Sequence, residues 1–85
     1  MKSELDEHIV ERLALLGEEC NELAKEVCKI QRFGLTPLNQ DKFIQEMGDV
    51  MAMLGVCVEA LDIPMDVLKV AHDAKLEKLK QFTNY

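Results

Sequence analysis

The sequence predicts an all-α protein, with three helices per chain in a single domain spanning residues 1–85 that assembles with further copies into an oligomeric helical bundle. Three observations lead there. Apolar residues recur three and four positions apart in three successive windows, with no strand-like alternation, internal repeat or low-complexity linker. The windows are separated by Gly34 with Thr36-Pro37 and by Leu61-Asp62-Ile63-Pro64, residue types that end one helix and start another. The middle window, FIQEMGDVMAMLGVCV at residues 43–58, is apolar on almost every side, and such a helix belongs in a core or at a subunit boundary.

Helix one is expected over about residues 4–33. Ser3-Glu4-Leu5-Asp6 reads as a capping box, with the Ser3 hydroxyl accepting from the first turn and Asp6 reaching back. Ile9, Leu13, Leu16, Cys20, Leu23, Val27 and Ile30 then trace one apolar stripe, in which Gly17 is a mild weakness. Gly34 suits a left-handed residue past the helix end, and the residue before Pro37 is biased away from helix. Helix two, about residues 40–61, takes its cap from Asn39 or a neighbour. Its Gly48 and Gly55, a heptad apart, permit close approach of another helix. Helix three, about residues 65–82, has Pro64 suited to its first turn. Leu68, His72, Lys75, Leu79 and Phe82 trace its stripe, which sets Lys75 on a core-facing row and Lys78 on its shoulder.

Composition narrows the function. Eighty-five residues with few aromatics build only a modest core, so a second copy is expected, as a homodimer or homotetramer. A net charge of −6 argues against a nucleic-acid or anionic-membrane partner, because those surfaces need a basic face. Cys20, Cys28 and Cys57 lie inside helical patterns, which suits reduced thiols, with Cys20 and Cys57 as small core residues. No apolar run is long enough to span a membrane, and MKSELDEH is too acidic for a signal peptide, so a soluble, cytoplasmic protein is expected.

Charge placement gives the site. Glu46 and Asp49 are the charged residues of the apolar window, and three positions apart they share one side of it. Carboxylates in such surroundings are protonated, paired or metal-bound. Glu19 and Glu22 lie on the flank of the helix-one stripe, and a short loop lets this flank face Glu46 and Asp49. Glu4, Glu7, Glu11 and Glu26 read as solvated surface. Four converging carboxylates call for a divalent cation, and an all-oxygen donor set without a histidine at ligand spacing favours Mg²⁺, or Mn²⁺ as substitute, over Zn²⁺. Mg²⁺ held by carboxylates takes further ligands from phosphates, so a phosphorylated small molecule is the leading substrate class. Lys29, two turns after Glu22, Arg32 at the helix end, and Lys75 and Lys78 are candidate phosphate-binding cations; the same lysines also suit snorkelling along the surface. His72 fits a packed, hydrogen-bonded histidine better than a catalyst.

Glu18-Glu19-Cys20-Asn21-Glu22 followed by Glu46-Met47-Gly48-Asp49 resembles the EExxE…ExxD signature of the MazG-type, all-α nucleoside triphosphate pyrophosphohydrolases. The run Lys29-Ile30-Gln31-Arg32-Phe33-Gly34 is similar to the segment just after the EExxE half in small phage and bacterial members. The likeness extends from about Leu15 to Phe82. It implies cleavage of (deoxy)nucleoside triphosphates between the α- and β-phosphates, giving monophosphate and pyrophosphate with Mg²⁺. It also implies Glu19, Glu22, Glu46 and Asp49 as metal ligands, with Glu18 and Glu19 in catalysis, Glu18 as an auxiliary acid. A phage-encoded member would work in the host cytoplasm. Two alternatives stand beside this: a pyrophosphohydrolase of the phosphoribosyl-ATP type, and a non-catalytic acidic helical interaction module. With Phe33, Phe43, Phe82 and Tyr85 as the only rings, no base-reading pocket is assigned.

Overall fold

The computed structural model describes residues 5–82, and these form three α-helices: α1 (Glu7–Phe33), α2 (Pro37–Ala60) and α3 (Met65–Phe82). The helix count matches the expectation, but two of the starts differ. Ser3 and Glu4 of the expected capping box lie outside the described residues. Asp6 is itself the N-cap, its carboxylate accepting from the His8 N–H at 2.8 Å and its carbonyl from Ile9 and Val10. α2 begins three residues earlier than expected, at Pro37, because Thr36 and Asn39 form a reciprocal capping box. The Thr36 hydroxyl accepts from the Asn39 N–H at 3.2 Å, and the Asn39 side chain accepts from the Thr36 N–H at 2.8 Å. Pro37 fills the first helical position, where no N–H is needed. The Asn39 amide also donates to the Gly34 carbonyl at 2.8 Å, which ties the turn shut. α3 starts where expected, after Asp62 takes a left-handed φ of 53°.

α1 and α2 fold back on each other as an antiparallel hairpin, with the Cys57 thiol 3.5 Å from the Arg12 carbonyl. Their contact follows a three-four spacing on each helix. On α1 it runs through Ile9, Arg12, Leu16, Glu19, Leu23, Glu26 and Ile30, and on α2 through Phe43, Glu46, Val50, Met53, Cys57 and Ala60. The predicted α1 stripe is therefore shared between two sides. Half of it faces α2, while Leu13, Cys20 and Val27 are exposed, so Cys57 is a core residue and Cys20 is not. In an antiparallel pair, the residue after each contact position turns to the same side of the hairpin on both helices. That side carries Val10, Leu13, Cys20 and Val27 from α1 with Ile44, Met47, Met51, Leu54 and Val58 from α2 and Leu61 just past its end, and no charge. The residue before each contact position turns the other way. There lie Glu11, Glu18, Glu22, Lys25 and Lys29 with Lys42, Gln45, Asp49 and Glu59.

α3 packs against neither α1 nor α2 and buries none of its residues. The core-facing row expected for Lys75 therefore does not exist within one chain. Among the described residues, the buried ones are Cys57, Glu26 and Glu46. The radius of gyration, 15.8 Å, exceeds the roughly 12 Å expected of a compact chain this long. No helix of the described residues is long and apolar enough to cross a membrane.

Candidate metal centre

The α1–α2 contact brings carboxylates together because both helices place acids on it at helical spacing. Glu19 points from α1 into the seam, and Glu46 and Asp49 meet it from α2; one oxygen of each lies within 4.8 Å of the others. Glu46 is buried, Glu19 half-buried and Asp49 exposed, so the cluster opens from the hairpin interior onto its charged side. Partial burial raises the Glu19 pKa above the ordinary 4.5. Repulsion from Asp49 and Glu46, and a hydrogen bond that a protonated Glu19 donates to Asp49, push it the same way, with Glu22 adding to the repulsion. A carboxyl whose proton is favoured by neighbouring carboxylates marks a site short of positive charge.

Three of the four predicted ligands converge. The fourth, Glu22, lies one turn along and pairs with Lys25 at 3.2 Å, although its charge is felt at Glu19. Glu18, Glu19, Asn21, Glu22 and Lys25 line one surface depression beside the cluster. The predicted cations fare less well. Lys29 pairs with Glu26 at 3.1 Å, and Arg32 lies over the Phe33 ring, 5.9 Å from its centre, at the end of α1. Lys75 and Lys78 are carried by α3, away from the hairpin. His72 is exposed rather than packed, 3.0 Å from Asp73.

Two residues to which the sequence assigns no part in the site stand at it. Lys42 pairs with Glu46 at 3.3 Å; that hydrogen bond and the charge of Glu46 raise its pKa, with Glu26 and Glu22 contributing. Glu26, expected on the surface, is 3% exposed and the most buried residue described. Its burial follows from position: seven residues after Glu19, it falls on the same contact row. No protein-family model, curated protein or solved structure matches this chain.

Proposed function

We propose that this protein is a Mg²⁺-dependent nucleotide pyrophosphohydrolase of the MazG-like, all-α type. It hydrolyses (deoxy)nucleoside triphosphates to monophosphate and pyrophosphate, and works as a cytoplasmic homo-oligomer of two or four copies. The observation that carries this reading is the convergence of Glu19, Glu46 and Asp49 from two helices onto one point. The donor set fits the ion: three hard carboxylate oxygens, one of them with its pKa raised by its acidic neighbours, suit Mg²⁺ or Mn²⁺.

Glu19, Glu46 and Asp49 would hold the cation, with Glu22 one turn away as the further ligand. Bound there, it supplies charge neutralisation for a polyphosphate and acidifies a water. The chain's own groups do the remainder. Glu18 and Glu19, which line the depression, would take the proton of the attacking water. Lys42 and Lys25 border the carboxylates and can hold phosphate oxygens. Lys29 and Arg32 extend that positive edge along α1. Lys75 and Lys78 enter only through the assembled oligomer.

The test is a panel of nucleoside triphosphates and a phosphoribosyl nucleotide, assayed for released pyrophosphate with Mg²⁺ and again with chelator. Chelator-sensitive release, reduced at least about a hundredfold by Glu46→Gln or Asp49→Asn, is the expected result. Absence of release from every substrate, with Mg²⁺ failing to bind, leaves the acids a structural role and ends the hydrolase reading.

A further inference from the structure

We infer that Glu26 is a positioning residue: from inside the α1–α2 seam it holds Lys29 of its own helix and Lys42 of the facing one as a pair of ammonium groups for the diphosphate end of a phosphorylated substrate. The inference rests on the reading proposed above, in which the site takes a polyphosphate. To that reading it adds a residue that touches neither cation nor substrate.

Glu26 stands where a carboxylate most needs a reason. It is 3% exposed, on the contact row of α1 between Leu23 and Ile30. A buried ion pair there adds little stability, because an apolar residue of similar volume packs as well without giving up hydration. What the charge does is fix its partners. The Lys29 ammonium lies 3.1 Å from the Glu26 carboxylate, and the lysine side chain is 57% exposed against 4% for the glutamate. The anchor is dry and the cation wet. Pairing with Glu26 therefore does not remove Lys29 from the site, since a lysine with three donors keeps others for a ligand.

The same carboxylate acts across the seam. Cys57 against Arg12 sets the register of the antiparallel helices, and equal steps along both bring Glu26 opposite Phe43, beside Lys42. Lys42 pairs with Glu46 at 3.3 Å and is half exposed. That bond and the charge of Glu46, then the charges of Glu26 and Glu22, raise its pKa and keep it an ammonium. Both lysines stand on the charged side of the hairpin, onto which the Glu19–Glu46–Asp49 cluster opens, and both lie from it toward the α1–α2 turn. Glu46 belongs to both groups, one of the three converging carboxylates and the partner of Lys42. A polyphosphate held at the cluster and extended toward the turn would meet Lys42 and then Lys29.

Calorimetric titration of the full chain with inorganic pyrophosphate in the presence of Mg²⁺ tests this. Glu26→Gln, uncharged but of the same shape, should weaken pyrophosphate binding about tenfold or more, while Mg²⁺ alone binds as to wild type. For any nucleotide that is cleaved, KM should rise to the same degree with kcat unchanged. Glu26→Leu should show the same loss with a Tm at or above that of wild type. A lowered Tm with pyrophosphate affinity intact makes Glu26 merely structural and overturns the inference, as does wild type that binds no pyrophosphate. Should neither variant fold, Lys29→Met and Lys42→Met, both on half-exposed side chains, must each weaken binding, and either one without effect overturns it. If pyrophosphate binding needs Glu26 while no nucleotide is cleaved, the hydrolase reading fails and the role of Glu26 stands. Cleavage that Glu26→Gln leaves unimpaired has the opposite meaning.

Discussion

Glu19 sits where partial burial and three neighbouring carboxylates all favour its proton, and this sets a sign for pH dependence. A carboxyl with a raised pKa in the fold contributes stability below its ordinary 4.5, and that contribution is lost as pH rises through the raised value. Above that raised value the metal-free protein carries unrelieved repulsion. Glu19→Gln should melt higher than wild type without metal, and should lose the stabilisation that Mg²⁺ gives wild type. Mg²⁺ affinity, measured by calorimetry, should weaken as pH is lowered through the Glu19 titration, because the proton and the cation compete for one group. Lys42→Met should act in two directions, strengthening binding of Mg²⁺ alone by removing a cation from Glu46 and weakening binding of a nucleotide triphosphate. Glu19, Glu46 and Asp49 are legible in the sequence because acids beside or within apolar helix faces demand an explanation. Lys42 goes unassigned and Glu26 is read as solvated surface for a shared reason: each resembles one more surface charge. Yet Lys42 lies four residues before Glu46, and Glu26 seven after Glu19, spacings that already place them on the same row.

Helix boundaries are legible to within a turn, and the differences have a local cause. Thr36-Pro37 reads as the end of one helix, whereas a threonine followed by proline and, two residues later, asparagine is equally a start. Loss of this cap is testable in isolation: Thr36→Ala should cost about 1 kcal/mol, read from chemical denaturation at fixed protein concentration. Gly34 combines φ 81° with ψ 171°, a region essentially reserved for glycine, and its N–H caps α1 at the Ile30 carbonyl. Gly34→Ala should cost about 1–3 kcal/mol by the same measurement, although nothing crowds a β-carbon there. The apolar stripe of α1 is correct in content, but only about half of it meets α2, since periodicity reveals which residues are apolar and not which of them a neighbouring helix covers.

Across the whole molecule, the three expected helices are present, as an α1–α2 hairpin with α3 standing apart. Sequence patterning treats each helix alone, so it cannot tell an apolar row met by its own chain from one met by another. Ligand linkage offers a check at this scale. Mg²⁺ with a bound nucleotide at a hundred times its Kd should stabilise the fold by about 2.7 kcal/mol, and Glu46→Gln should abolish the accompanying rise in Tm. A hairpin that conceals so few of its side chains opens at little cost, so the isolated chain should be cut readily by a protease added at low concentration.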